Sequence, residues 1–153
     1  MQVQVSSNRD PEPLALDAFE RLGVFVLRME EVAANAELSV AIVTIDEMAE
    51  MNERYRGKEG ATDVLSFPCD DPCPAASDEP IALGDVVIAP EVAEKQAAEL
   101  GTTVESELNL LLVHGTLHLL GYDHEVDAGE MALRQAKVLE LVAWEGLLVP
   151  APR

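Results

Sequence analysis

His114-Gly115-Thr116-Leu117-His118-Leu119-Leu120-Gly121-Tyr122-Asp123-His124 holds all 3 histidines of a 153-residue chain. Residues four apart on an α-helix point to nearly the same side, so His114 and His118 can offer two imidazole nitrogens to one ion. A third ligand must return from outside the helix. Gly121 supplies the return, because a glycine just past a helix end adopts the left-handed conformation that reverses the chain and swings His124 back. Three neutral nitrogen ligands leave a fourth tetrahedral position open, the pattern of a catalytic rather than a structural zinc site. Zinc is favoured on ligand count and availability, while nickel, copper and iron also accept imidazole. A lone histidine on an apolar helix reads best as a satisfied core residue. Three at these spacings, with glycine at the turn, read as one metal site.

The same spacing, with the glycine, occurs in the zinc-protease pattern H-E-x-x-H-x-x-G-x-x-H, whose glutamate is the general base. Here Gly115 stands at that position, and a peptidase reading loses its proton acceptor. Asp123 is a possible base, but an aspartate beside a ligand more often orients it or caps the turn.

Outward from this run the chain divides into helices and strands. Thr102-Thr103-Val104-Glu105 fits a T-x-x-E capping box opening the histidine helix, which is expected to run to about residue 120. Pro90 opens a preceding helix that Gly101 closes. Residues 38–45, 64–68 and 81–89 alternate or are rich in β-branched side chains and read as strands, and residues 2–5 give a weaker signal of the same kind. Apolar residues recur at helical spacing over 14–34, Asp46 can cap a short helix through Asn52 and Tyr55, and a last helix is expected over 128–148 before a frayed tail. Phe19, Phe25 and Trp144 sit at core spacing. The expectation is an α+β fold of mixed α/β layers, with one small mixed sheet packed with about five helices, one of them a zincin-like metal helix. At roughly 150 residues per domain, residues 1–153 form one domain.

Composition narrows the function classes. Lys+Arg number 10 against 29 Asp+Glu, a net charge of −19, which excludes gripping long DNA through counterion release. Only Arg54, Arg56 and Lys58 cluster, so any nucleic-acid site is small and local. The acidity also suits a basic protein partner, beside its plainer use in solubility. No apolar run reaches the roughly 18 residues of a membrane span, and the N-terminus resembles neither a secretory signal nor a transit peptide, which makes the cytosol the default compartment. Cys69 and Cys73 fall in a Pro- and Asp-rich loop and read as free thiols under reducing conditions.

The histidine run resembles the signature H-G-x-L-H-L-x-G-Y-D-H of the YbeY family of single-strand-specific endoribonucleases and ribosomal RNA maturation factors, and matches every fixed position of it. Met51-Asn52-Glu53-Arg54-Tyr55-Arg56 and Thr62-Asp63-Val64-Leu65-Ser66-Phe67-Pro68 are similar to the family's N-x-x-Y-R and T-D-V-L-S-F-P segments, and Leu83-Gly84-Asp85-Val86-Val87-Ile88 to a third. Residues 69–78 depart from the family as a lengthened loop.

The resemblance implies a metal-dependent hydrolase with one Zn2+ per chain held by His114, His118 and His124, and Arg56 as a catalytic residue. Read on its own, Arg56 agrees: its planar, permanently charged fork matches phosphate and lies in the one basic cluster, although a solvated arginine at a helix end is the bland alternative. Asp63 and Ser66 are either cleft residues or a turn cap and an outward-facing strand residue. Tyr122 either stacks on a base or, more simply, packs over the metal turn. The implied activity is cytoplasmic cleavage of single-stranded RNA in 16S ribosomal RNA 3′-end maturation and ribosome quality control. The implied partners are ribosomal RNA and the small ribosomal subunit, with its basic proteins or an assembly GTPase, and neither DNA nor a membrane. The competing reading is a non-catalytic ribosome-assembly factor whose zinc is mainly structural.

Overall fold

The computed structural model describes residues 1–72 and 78–153; Cys73 lies outside the described residues. The elements run β1 (Gln2–Ser7), α1 (Leu16–Met29), β2 (Ala36–Ile42), α2 (Ile45–Arg56), β3 (Val64–Pro68), β4 (Ile81–Ile88), α3 (Pro90–Leu100), α4 (Val104–Leu119) and α5 (Glu130–Trp144). The strands form one mixed sheet in the order β1-β2-β4-β3, parallel except for β3, which lies antiparallel on the edge beside β4. Sheet and helices make the expected α+β architecture.

The sheet separates two apolar clusters by the period-2 alternation of its strands. Val86 and Ile88 of β4, with Leu38, Val40 and Ile42 of β2, join the main core with Phe19, Leu22 and Val26 of α1, Leu108 and Leu112 of α4, and Met131 and Val138 of α5. Val87 and Leu65 point the other way, into a smaller cluster with Met48 of α2. On β3 the same alternation sends Val64 to the main core, and Ser66, two residues on, faces α4 with it. Helix α4 is packed on several sides by the sheet, α1, α3 and α5, which is why its apolar residues surround it rather than forming one stripe.

Several boundaries differ from the sequence reading, each for a visible reason. Helix α1 stops at Met29 although Val32 and Ala33 continue its apolar period. Glu31 takes a left-handed φ of 55°, and the Glu31 and Val32 N–H groups donate back to the Arg28 and Leu27 carbonyls at 3.0 Å each. This is the usual glycine-type helix ending made without glycine, hence its invisibility in the sequence. Strand β2 ends at Ile42, Ile45 begins α2, and the cap is Thr44 rather than Asp46: Thr44 Oγ1 accepts from the Glu47 N–H at 3.2 Å and donates to the Glu47 carboxylate at 3.1 Å. The cap thus lies two residues earlier than expected, with the Glu47 carboxylate reaching back to the capping hydroxyl. On α4 the cap is Thr103, which accepts from Ser106, while Thr102 donates to the buried Glu107 at 2.8 Å.

Trp144 is 86 % exposed rather than part of the core. The C-terminal tail is tied down rather than frayed. Val149 is 1 % exposed; its N–H donates to Asn109 Oδ1 at 2.9 Å, its carbonyl accepts from Asn109 Nδ2 at 3.3 Å, and the Arg153 N–H donates to the Pro13 carbonyl at 2.9 Å. No described helix is long and apolar enough to cross a membrane.

Candidate metal centre

Helix α4 carries His114 and His118 on one side of its last two turns. Beyond its end, Gly121 has a φ of 103°. The Gly121 N–H donates to the His118 carbonyl at 3.1 Å and the Tyr122 N–H to the Leu117 carbonyl at 3.2 Å, the paired bonds by which a left-handed residue reverses a helix end. The reversal returns His124 to its partners. The three rings stand with centroids 4.8 Å (His114–His118), 5.2 Å (His114–His124) and 5.2 Å (His118–His124) apart. One ligand nitrogen from each lies within 4.8 Å of the others, a donor set that could hold a metal ion of the kind that accepts imidazole: zinc, copper, iron or nickel.

At His118 the electrostatics favour the neutral, ligating form. Burial lowers the His118 pKa from its ordinary value, the neighbouring His114 and His124 lower it further, and Asp123 and the Tyr122 backbone oppose them. Asp123 is exposed in the cleft lining; its side chain accepts from the Glu125 N–H at 3.0 Å and its carbonyl from the Val126 and Asp127 N–H groups. It caps the turn that presents His124.

His114 also meets a residue that sequence reasoning missed. Its Nδ1 lies 2.8 Å from Oε1 of Gln135 on α5. No local period marks Gln135, because the pairing joins two helices in space.

Arg56, the last residue of α2, lines the same cleft of about 630 Å³ as the three histidines, with Asp63, Ser66 and Tyr122. It is exposed and makes no ion pair among the described residues. Asn52 fixes the chain just beyond it. The Asn52 backbone carbonyl accepts from the Gly57 and Lys58 N–H groups, and its Nδ2 donates to the Gly60 carbonyl at 2.8 Å. Asn52 stood in the matched segment as a residue without a role, and here it shapes the loop behind Arg56. The other two cluster members stay outside the cleft lining: the Arg54 guanidinium lies 6.0 Å from the Tyr55 ring centre and Lys58 is exposed.

Asp63 stands in the cleft lining and also serves its own turn, its Oδ1 accepting from the Val64 N–H at 2.8 Å and from the Thr62 hydroxyl at 3.3 Å. Ser66 faces α4, donating to the Gly115 carbonyl at 3.0 Å. Tyr122 packs against the core and its hydroxyl donates to Glu30 at 3.1 Å, as the simpler of its two readings requires. A Cβ on Gly115 would meet Val86 Cγ1 at 2.7 Å and Ser66 Oγ at 3.3 Å. The position after the first histidine is closed by the sheet, so the glutamate of the protease pattern has no room there.

Fold and site together define a class: a mixed-sheet α+β protein with three convergent histidines borne by a helix and the turn after it. Within that class the chain belongs to the YbeY family, since the model of that family, described as Endoribonuclease YbeY, matches residues 4–143. It is 46% identical to a protein named Endoribonuclease YbeY from Salinispora tropica over 126 residues, covering 76% of this chain and 80% of that one. A protein of the same name from Exiguobacterium sibiricum is 45% identical over 132 residues, covering 81% and 84%. A solution structure of a Thermotoga maritima protein superposes with a TM-score of 0.64 at 28% identity, covering 94% of this chain and 91% of that one.

Proposed function

We propose that this chain is a zinc-dependent, single-strand-specific endoribonuclease that forms one domain over residues 1–153, works in the cytoplasm and acts in 16S ribosomal RNA 3′-end maturation and ribosome quality control. The observation that supports it most is the meeting in one cleft of three convergent histidines and an arginine that makes no ion pair among the described residues, in a chain whose relatives are named endoribonucleases. In this reading His114, His118 and His124 hold the ion and Arg56 is the catalytic residue.

Bound zinc would supply Lewis acidity toward a phosphodiester oxygen. The protein's own part follows from its residues. Arg56, engaged by no carboxylate among the described residues, directs a permanently charged, forked donor at the non-bridging oxygens and offsets charge that grows on them during cleavage. Asn52 sets the loop behind it. Asp63 and Asp123 also line the cleft, each with one carboxylate oxygen held by a backbone N–H. The open cleft has few cations beyond Arg56, so it suits a short single-stranded segment rather than a long duplex. A net charge of −19 adds a complementary surface for basic proteins of the small ribosomal subunit or an assembly GTPase.

The test is cleavage of a labelled single-stranded RNA and of its duplex by zinc-loaded protein, before and after chelation and again after zinc is restored. Single-strand cutting that is lost with the metal and returns with it is the expected result. A loaded protein that cuts neither RNA would leave the assembly-factor reading, for which the acidic surface is the supporting observation.

A further inference from the structure

We infer that Gln135 is a positioning residue of the metal centre, its side-chain oxygen holding His114 in the tautomer that carries its proton on Nδ1 and turns Nε2 toward the ion. The inference rests on the reading of the three histidines as a metal site. A neutral imidazole has one N–H and one lone pair, and an amide oxygen only accepts. With Oε1 of Gln135 at 2.8 Å from Nδ1 of His114, the proton belongs on Nδ1 and the lone pair on Nε2. Outer partners of this kind fix both the ring orientation and the basicity of a ligating histidine.

Gln135 is itself held. It is half-buried on α5, between the fully buried Met131 and Val138. Arg134, its neighbour, donates to the Glu30 carboxylate and, at 3.0 Å, to the Met29 carbonyl, which pins α5 to the end of α1. Glu30 also accepts from the Tyr122 hydroxyl at 3.1 Å, so the turn that returns His124 is tied to the same carboxylate. At the start of α5, Asp127 accepts from the Gly129 and Met131 N–H groups at 2.9 Å each. The glutamine therefore meets His114 from a fixed backbone, and the His118 and His124 ring centroids stand within 5.2 Å of that of the same imidazole. The reverse amide orientation, NH2 toward Nδ1, would force the proton onto Nε2 and block ligation.

Replacing the amide separates these cases. In the full-length chain, zinc dissociation constants are measured by competition with a chromophoric chelator for the wild type, Gln135→Leu and Gln135→Glu. Gln135→Leu removes the acceptor and is expected to weaken zinc by about 10- to 100-fold. Gln135→Glu keeps an acceptor at the same reach and is expected to bind within about threefold of wild type, or tighter. Wild-type affinity in Gln135→Leu overturns the inference, as does a Gln135→Glu that binds as weakly as Gln135→Leu. A long-range proton–nitrogen NMR spectrum of the zinc-loaded wild type needs no substitution: a protonated Nδ1 on His114 is expected, and zinc on Nδ1 overturns the inference. A wild type that binds no zinc overturns instead the metal-site reading beneath it.

Discussion

The Ser66 hydroxyl donates to the Gly115 carbonyl at 3.0 Å, joining the edge strand β3 to the helix that carries two of the three histidines. This contact requires the helix backbone to approach the sheet closely, which glycine permits. Gly115→Ala is expected to destabilise the protein by about 1–3 kcal/mol through overpacking against Val86, read as a lower midpoint in urea unfolding. Gly115→Glu, which restores the protease pattern in sequence, is expected to yield poorly folded protein and no cleavage of casein. Casein cleavage by that variant would show that the sheet does not close the position.

His118→Ala removes the central ligand from α4. Zinc content measured by atomic emission is expected to fall from one ion per chain to well below it. The rise in melting temperature that zinc gives the wild type is expected to disappear, because metal that binds only the folded state adds its binding energy to folding. Full zinc content in the variant would contradict the three-histidine site.

Asn109 is the amide that pairs both backbone groups of Val149 in the docked tail, so Asn109→Leu leaves the Val149 N–H and carbonyl without those partners. A loss of about 1–3 kcal/mol is expected, which for a chain of this size is several degrees in melting temperature. Truncation after residue 147 is expected to cost a similar amount, and a tail removed without effect would refute the docking.

Glu12 gives a pH dependence remote from the metal. Burial alone would raise its pKa, but hydrogen bonds from Arg9, Ser7 and the Leu14 N–H outweigh it, and the carboxyl lies below its ordinary value of 4.5. A carboxyl with a depressed folded-state pKa contributes stability that is fully present above the unfolded value and lost as pH falls through the folded one. Glu12→Gln is therefore expected to unfold more easily than wild type at pH 7, with the gap closing below about pH 4.5. A gap that stays constant down to pH 3 would refute that assignment.

Strand β3 and helix α3 were legible to the residue, because Pro68, Pro90 and Gly101 mark their ends in the chain itself. The convergence of the three histidines was legible for the same reason: helix spacing and one glycine are local facts, and they already direct His114, His118 and His124 toward one another. The end of α1 was hidden because Glu31 performs a turn normally read from glycine. Trp144 was misread because helical spacing shows that residues share a face but not whether anything covers it. Gln135, the Asn109–Val149 bonds and the closing of position 115 by Val86 were not legible. Each joins segments far apart in sequence, and only packing reveals it.

Arg56 carries the central claim, that this cleft cleaves RNA with an arginine and a metal acting together. The direct measurement is a time course of single-stranded RNA cleavage by wild type and Arg56→Ala, at matched zinc content and matched melting temperature. The account predicts equal metal loading and a rate about 10²- to 10³-fold lower in Arg56→Ala. Unchanged cleavage by the fully loaded variant would contradict it.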